Sequence, residues 1–178
     1  MALVKLRSFE RINFSKPFAM QLSDRIIIKK SSIRLVQKKK NKLSAAALSE
    51  KNREEGVIFL KENATKAGII VCQSGLQYKI LTQGPGKIPT KTSKVICHYK
   101  GELLDGTVFD SSYKRKRPET FYIKELIIGW QQAMCMMTVG SIWQVYLPPN
   151  LAYGREELLP RKGGECTLVF QIELIAIL

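Results

Sequence analysis

The chain changes its hydrophobic period at Ile69, and that change limits what it can fold into. Upstream, Ser44 is the expected N-cap of a helix through AAALSEKNREEGVIFLKENATKA, closed by Gly68. The first half of that helix is polar all round. Val57, Leu60 and Ala64 then form a narrow apolar stripe, the pattern of a helix that bridges between parts of a protein. From Ile69 the apolar residues recur at every second position. GLQYKIL alternates, and SKVICHYKGELL and TVF flank Asp105-Gly106, a strong hairpin signal. ETFYI and SIWQVYL are further short strands, and CTLVFQIELIAIL ends the chain with Leu168, Phe170, Ile172 and Leu174 on one face. IIGWQQAMCMM, too rich in Gln and Met for a strand, predicts one short helix, while QGPGKIPTKT and residues 148–165 are loops. Short strands around a single helix predict an α+β fold in which an antiparallel sheet wraps over that helix.

Charge divides the chain differently. It holds 29 Lys and Arg against 15 Asp and Glu, a net +14. Residues 1–50 account for twelve basic and three acidic side chains, or +9, so the excess sits in an N-terminal arm. Residues 1–43 show no sustained periodicity; IIIKK (26–30) fits a short strand or part of a helix, and KKKNK (38–42) reads as solvated. Such an arm either favours anionic partners, nucleic acid or an acidic membrane surface, or is a solvated segment with no dedicated ligand. The expected divisions are therefore 1–43, a basic arm; 44–69, a linking helix; and 70–178, the sheet-and-helix domain. No run of 18 apolar residues predicts a spanning helix. The start, MALVKLRSFERINFSKPFAM, lacks the unbroken apolar stretch of a secretory signal. The cytoplasm is the expected compartment, and the basic, acid-poor start also admits an organellar presequence. Cys72, Cys97, Cys135 and Cys166 lie far apart without a C-x-x-C, and His98 is the single histidine. Zinc-ligand spacing is missing, so reduced, mostly buried thiols and no metal are expected.

Chemistry is narrowed mainly by exclusion. In VFDSSY, Asp110 follows an aromatic and precedes Ser111 and Ser112, so it reads equally as an acid or base, a metal ligand or the start of a turn. A serine nucleophile needs a base, and no G-x-S-x-G elbow is present. Cys97 adjoins His98 but points to the opposite sheet face, which makes His98 an expected hydrogen-bonded structural residue. GPGKIPT lacks the spacing of a phosphate loop, and nothing singles out a pair of carboxylates. What remains is a set of aromatics near strand ends and loops, Tyr99, Phe109, Phe121, Trp130, Tyr153 and Phe170, with polar tips and Asp110 among them.

HYKGELLDGTVFDSS, IIGWQQAM, LPPNLAYG and TLVFQIELI, in this order and spacing, resemble the FKBP-type peptidyl-prolyl cis-trans isomerases. SGLQYKIL and EEGVIFLKENATKAG narrow the resemblance to the macrophage-infectivity-potentiator branch, over about residues 50–178. It implies a half-barrel around one short helix, and rotation of X-Pro bonds in peptides and folding proteins without covalent intermediate, metal or cofactor. Carried over by motif, it implies Tyr99, Asp110 and Tyr153 as the catalytic group. Phe109, Phe121, Leu126, Ile127, Trp130 and Phe170 line the proline site, with Trp130 as its floor. Asp110 is then a polar wall residue that orients Tyr99 or polarises the surroundings of the twisted carbonyl. The Ile127 backbone N–H and the Tyr153 hydroxyl are expected to hold substrate carbonyls.

The resemblance further implies proline-containing polypeptide clients, macrolide inhibitors of the rapamycin and tacrolimus type, a homodimer through the N-terminal helix, and, by analogy, the periplasm. Two departures qualify it. The N-terminal arm is short and basic. In the flap REELLPRKGGEC, Arg161 and Lys162 stand where relatives often carry an aliphatic lid residue, and Gly163 and Gly164 replace a stiffer segment. A more mobile, more cationic lid follows, with a preference for acidic residues beside proline and weaker macrolide binding. If that lid costs turnover, the alternative is a non-catalytic, chaperone-like module that binds proline segments and uses the arm for anions.

Overall fold

A computed structural model of the chain describes residues 44–178. The expectations for the basic arm, IIIKK and KKKNK included, lie outside the described residues. Helix α1 spans Ala45–Asn63, starting directly after Ser44 but stopping short of Gly68. Asn63 ends it by turning its side chain to another use: its Nδ2 donates to Gln77 Oε1 at 3.0 Å, and Gln77 Nε2 returns to Leu60 O at 2.8 Å. Tight turns follow, and Gly68 then takes the left-handed conformation (φ +79). The expected apolar stripe is not the buried face. Val57 is 64% exposed and Ala64 is exposed, whereas Asn52, Gly56, Phe59, Leu60 and Asn63 turn inward at helical spacing. The seat is made by polar and small residues, with Phe59 resting on Tyr146 (ring centroids 5.8 Å apart).

Seven strands form one antiparallel sheet: β1 Ile70–Val71, β2 Gln77–Thr82, β3 Lys94–Leu103, β4 Val108–Ser111, β5 Glu119–Tyr122, β6 Ile142–Leu147 and β7 Leu168–Ile177. Their order is β1-β2-β6-β7-β3-β4, and β5 also pairs with β3. β3 is thus shared: its first half, Lys94 to Cys97, pairs with β5, and Lys100 to Glu102 pair with β4. Period-two burial is strict along it, with Val95, Cys97, Tyr99, Gly101 and Leu103 inward. The Asp105-Gly106 hairpin forms as expected, Gly106 at φ +79 and Asp105 Oδ1 accepting the Thr107 N–H at 2.9 Å.

Helix α2, Ile128–Met134, is shorter than its apolar run and buries Trp130, Ala133 and Met134 under the sheet. Gly129 admits Leu147, whose Cδ2 lies 2.4 Å from where a Cβ would stand. Leu168, Phe170, Ile172 and Leu174 of β7 are fully buried against this helix and β3 in one core, so the expected α+β architecture is the observed one. All four cysteines are free; Cys97 is buried and the other three are half-buried. No helix among the described residues is long and apolar enough to cross a membrane.

Candidate active site

Trp130 sits in the first turn of α2 with no solvent exposure, and three strands bring rings around it. Tyr99 of β3 meets it edge-on at 5.2 Å, Phe170 of β7 at 5.3 Å and Phe121 of β5 at 6.2 Å, with interplanar angles of 85°, 86° and 84°. Phe109 of β4 stands edge-on to Phe170 at 5.6 Å. Edge-to-face packing of this kind sets the positive rim of one ring on the negative face of the next. Leu126 and Ile127 are buried in the same core, Ile127 directly preceding α2. Among the described residues Trp130 Nε1 has no hydrogen-bond partner.

Asp110 is the one carboxylate at this box, and it is 7% exposed. Tyr99 Oη donates to Asp110 Oδ2 at 2.8 Å. Arg115 completes a ring of contacts, its Nη1 donating to Asp110 Oδ1 at 2.5 Å and its Nη2 to Tyr99 Oη at 2.7 Å. Arg115 Nε donates to Glu119 Oε1 at 3.0 Å, which fixes the guanidinium from behind. Burial, followed by the bond to Asp110 and its charge, pushes the Tyr99 hydroxyl far above the ordinary phenol range, although Arg115 opposes the shift. Tyr153 is raised too, by burial first and then by the charges of Asp110 and Glu156. Both hydroxyls therefore stay protonated donors at any physiological pH.

The serines after Asp110 serve the backbone. Ser112 Oγ accepts the Tyr99 N–H at 2.7 Å and pairs with His98 Nδ1 at 2.8 Å, while His98 stacks on Tyr113 at 4.6 Å. His98 is thus a structural partner on the face of β3 opposite Cys97. Two contributors escape a reading of the sequence. Arg115 lies in the basic run YKRKR, where nothing distinguishes it from its neighbours. Gly101 carries the backbone past the rings: a Cβ there would lie 2.6 Å from Phe109 Cζ and 2.8 Å from Phe170 Cε1. Its signal was a glycine inside an otherwise regular strand.

The flap, residues 154–166, departs from expectation. Lys162 Nζ reaches Asp105 Oδ2 at 2.5 Å, and both Arg161 and Lys162 line a cavity of about 410 Å³ with Leu48, Lys51, Asn52, Leu103, Asp105 and Cys166, between α1 and the Asp105 hairpin. Lys162 is thus committed to the Asp105 hairpin. Gly163 and Gly164 also serve a close approach. Their missing side chains admit close neighbours, Leu48 Cβ at 2.8 Å from one ideal Cβ and Arg155 O at 2.1 Å from the other. The segment expected as a lid is hydrogen-bonded to a helix.

Comparison with known proteins adds a family to this geometry. Residues 86–175 match the model of the FKBP-type peptidyl-prolyl cis-trans isomerase, and residues 14–80 that of the domain amino terminal to it. The chain is similar to the peptidyl-prolyl cis-trans isomerase Mip of Coxiella burnetii, 44% identical over 126 residues, covering 71% of this chain and 55% of the relative. It is equally similar to the outer membrane protein MIP of Legionella longbeachae, 44% identical over 129 residues, covering 72% and 55%. The crystal structure of FkpA from Escherichia coli superposes with a TM-score of 0.69 at 32% identity, covering 88% of this chain and 74% of that one. This chain spans little more than half the length of the two curated relatives.

Proposed function

The chain belongs to the FKBP-type peptidyl-prolyl cis-trans isomerases, and from that membership we propose that it catalyses rotation about X-Pro bonds in polypeptides. The observation that carries the proposal is the Trp130 box: an aromatic enclosure with one buried carboxylate, Asp110, whose oxygens are engaged by Tyr99 and Arg115. A carboxylate so engaged orients its neighbours. Rotation about the bond breaks amide resonance against a barrier of about 18–20 kcal/mol and makes no covalent change. The planar amide is more polar than the twisted one, so a dry, apolar box disfavours the ground state more than the transition state, and only that difference accelerates the reaction. Phe109, Phe121, Leu126, Ile127, Trp130 and Phe170 take the proline ring. The Ile127 N–H and the Tyr153 hydroxyl hold the flanking carbonyls, and Asp110 with Arg115 fixes the Tyr99 ring.

A protease-coupled proline-peptide assay tests this directly. Turnover should exceed the thermal rate, and Tyr153→Phe should lose one hydrogen bond to a bound carbonyl, about 0.5–1.5 kcal/mol of transition-state binding, with folding intact. Undiminished turnover in both Tyr153→Phe and Asp110→Leu would remove these residues from the site. Macrolides that bury a pipecolyl or prolyl ring should compete for the same box.

The N-terminal region that matches the domain amino terminal to the isomerase is proposed to pair two chains, which light scattering on the whole protein checks. The +9 arm is proposed to add polyanion contact, checked by salt-dependent heparin retention. For the compartment we propose the cytoplasm, with an organelle or the periplasm as the alternatives. Fractionation of source cells decides among them, and recovery in a periplasmic or organellar fraction would overturn the cytoplasmic placement.

A further inference from the structure

Two side chains of α1 fasten the flap, and the amide of Asn52 makes most of the bonds. Asn52 Nδ2 donates to Lys162 O at 2.7 Å and to Gly164 O at 2.8 Å, which uses both of its hydrogens, and it lies 3.3 Å from Cys166 Sγ. The two carbonyls converge on one nitrogen with Gly163 between them in the left-handed region (φ +72). One turn earlier on the helix, Ser49 Oγ accepts the Gly164 N–H at 2.9 Å. Four residues after Asn52, Gly56 has no side chain where a Cβ would stand 2.3 Å from Thr167 Oγ1, so the helix backbone lies directly on the end of the flap. These contacts join residues more than a hundred positions apart.

What the flap carries gives the fastening its consequence. Tyr153 precedes the flap and Phe170 follows it on β7, so both stems bear residues of the proposed proline site. The Glu165 N–H closes the stems on Gly154 O at 2.7 Å, and the Glu157 carboxylate ties the Lys162 and Gly163 N–H groups at 2.9 and 3.2 Å. The segment is internally braced and docks as a piece. A wall ordered before substrate arrives costs less ordering entropy on binding than one that must settle around it.

We propose that Asn52 is a positioning residue of the isomerase: by fastening the flap to α1 it holds Tyr153 ready for substrate, and α1 is part of the working unit. The proposal rests on the isomerase reading above.

Its test is Asn52→Asp in the whole chain, which keeps the shape but sets a carboxylate against two carbonyl oxygens. Proline-peptide turnover is measured over a range of substrate concentrations, and amide hydrogen exchange is followed at Gly164 and Glu165, with the Tyr99 amide as internal reference. With two hydrogen bonds lost, KM should rise about tenfold while kcat stays within about twofold, and the flap amides should exchange about tenfold faster. The Tyr99 amide should not change. If Asn52→Asp also loosens Tyr99, Ser49→Ala decides, and it should move KM and flap exchange in the same direction by a smaller factor. Faster flap exchange with an unmoved or lowered KM overturns the positioning role, and unmoved flap exchange in both variants overturns the fastening itself. Absence of turnover in the unaltered chain sinks the isomerase reading and this proposal with it, whereas turnover with an unmoved KM sinks this proposal alone.

Discussion

The Trp130 box and the seat of the flap on α1 are both assembled from residues distant in sequence, yet opposite means hold them. In the box, rings from β3, β5 and β7 meet edge to face around an indole that water does not reach, and Phe109 of β4 packs behind Phe170. At the flap, an asparagine, a serine and three glycines let two backbones approach and share hydrogen bonds. Burial of apolar surface is additive and indifferent to small shifts, while a hydrogen bond exchanged with water is worth little net and depends on geometry. The packing of the rings should therefore be lost only when the domain unfolds, and the flap should detach on its own.

The largest expected effect compares one thiol in each region. Cys97 is fully buried in β3, and burial, helped by the charge of Glu119, pushes its thiol up to about 12. Cys166 in the flap is half-buried and raised for the same first reason, with Asp105 adding to it. Alkylation of native protein with peptide mapping should find Cys97 protected by the global unfolding free energy, of the order of 5–15 kcal/mol, and Cys166 only by local opening. Matched rates would erase the distinction. The same thiol makes stability depend on pH. A folded value above the unfolded one of about 8.5 means a contribution fully present below that pH and lost as pH rises towards about 12. The urea midpoint should fall above pH of about 9, less steeply in Cys97→Ala.

Next in size is Trp130→Ala. Truncating a fully buried aromatic in contact with three rings should cost about 3–5 kcal/mol, read as a lower urea midpoint with an unchanged slope. Asn52→Asp should lower that midpoint less, by about the 1.4 kcal/mol that a tenfold faster flap exchange corresponds to. A global loss from Asn52→Asp as large as that from Trp130→Ala would make the two regions one cooperative unit.

The same contrast explains what the sequence made legible. The strands and the short helix were readable because apolar side chains at periods of two and 3.6 leave a trace in the order of residues, whereas the residues of the box were legible only through the family resemblance carried by the dense motifs around Tyr99, Asp110, Trp130 and Tyr153. The seat of α1 was not. Its inward face is Asn52, Gly56, Phe59, Leu60 and Asn63, mostly residues that a hydrophobic pattern counts as outward, so the pattern points to the stripe through Val57 instead. Gly163 and Gly164 suggested looseness because a sequence cannot distinguish a glycine needed for freedom from one needed for a close approach. Arg115 was hidden for a related reason: only the turn after β4 aims one cation of the run at Asp110.

Gly101→Ala sharpens the comparison from the side of the box. The new methyl would stand 2.6–2.9 Å from atoms of Phe109 and Phe170, in a place where rings cannot swing aside without disturbing Trp130. Overpacking of this kind should cost about 1–3 kcal/mol and lower turnover together with stability. Full stability with turnover intact would mean that the rings have slack, contrary to their close edge-to-face packing.

The smallest effect belongs to the flap's ion pair, and it decides what the lid charges do. Lys162 holds the Asp105 carboxyl well below the usual carboxylate range, first through its hydrogen bond and then with help from Thr107. A depressed folded value means a contribution present above the unfolded value of about 3.9 and lost as pH falls further towards the folded one. Both side chains are substantially exposed, 39% and 52%, so solvent screening reduces the pair to about 0–1 kcal/mol at low salt. Lys162→Met should shift the urea midpoint barely, and 1 M salt, with a Debye length near 3 Å, should remove even that difference. Turnover makes the sharper test. A lysine committed to Asp105 is not free to add a cation to the rim of the box. Peptides with Glu and with Lys before proline should show the same ratio of turnover in the unaltered chain and in Lys162→Met, at low salt as at high. A ratio that favours Glu in the unaltered chain and collapses in Lys162→Met would mean that Lys162 leaves Asp105 during catalysis and swings over the box, and the flap would then be a lid after all.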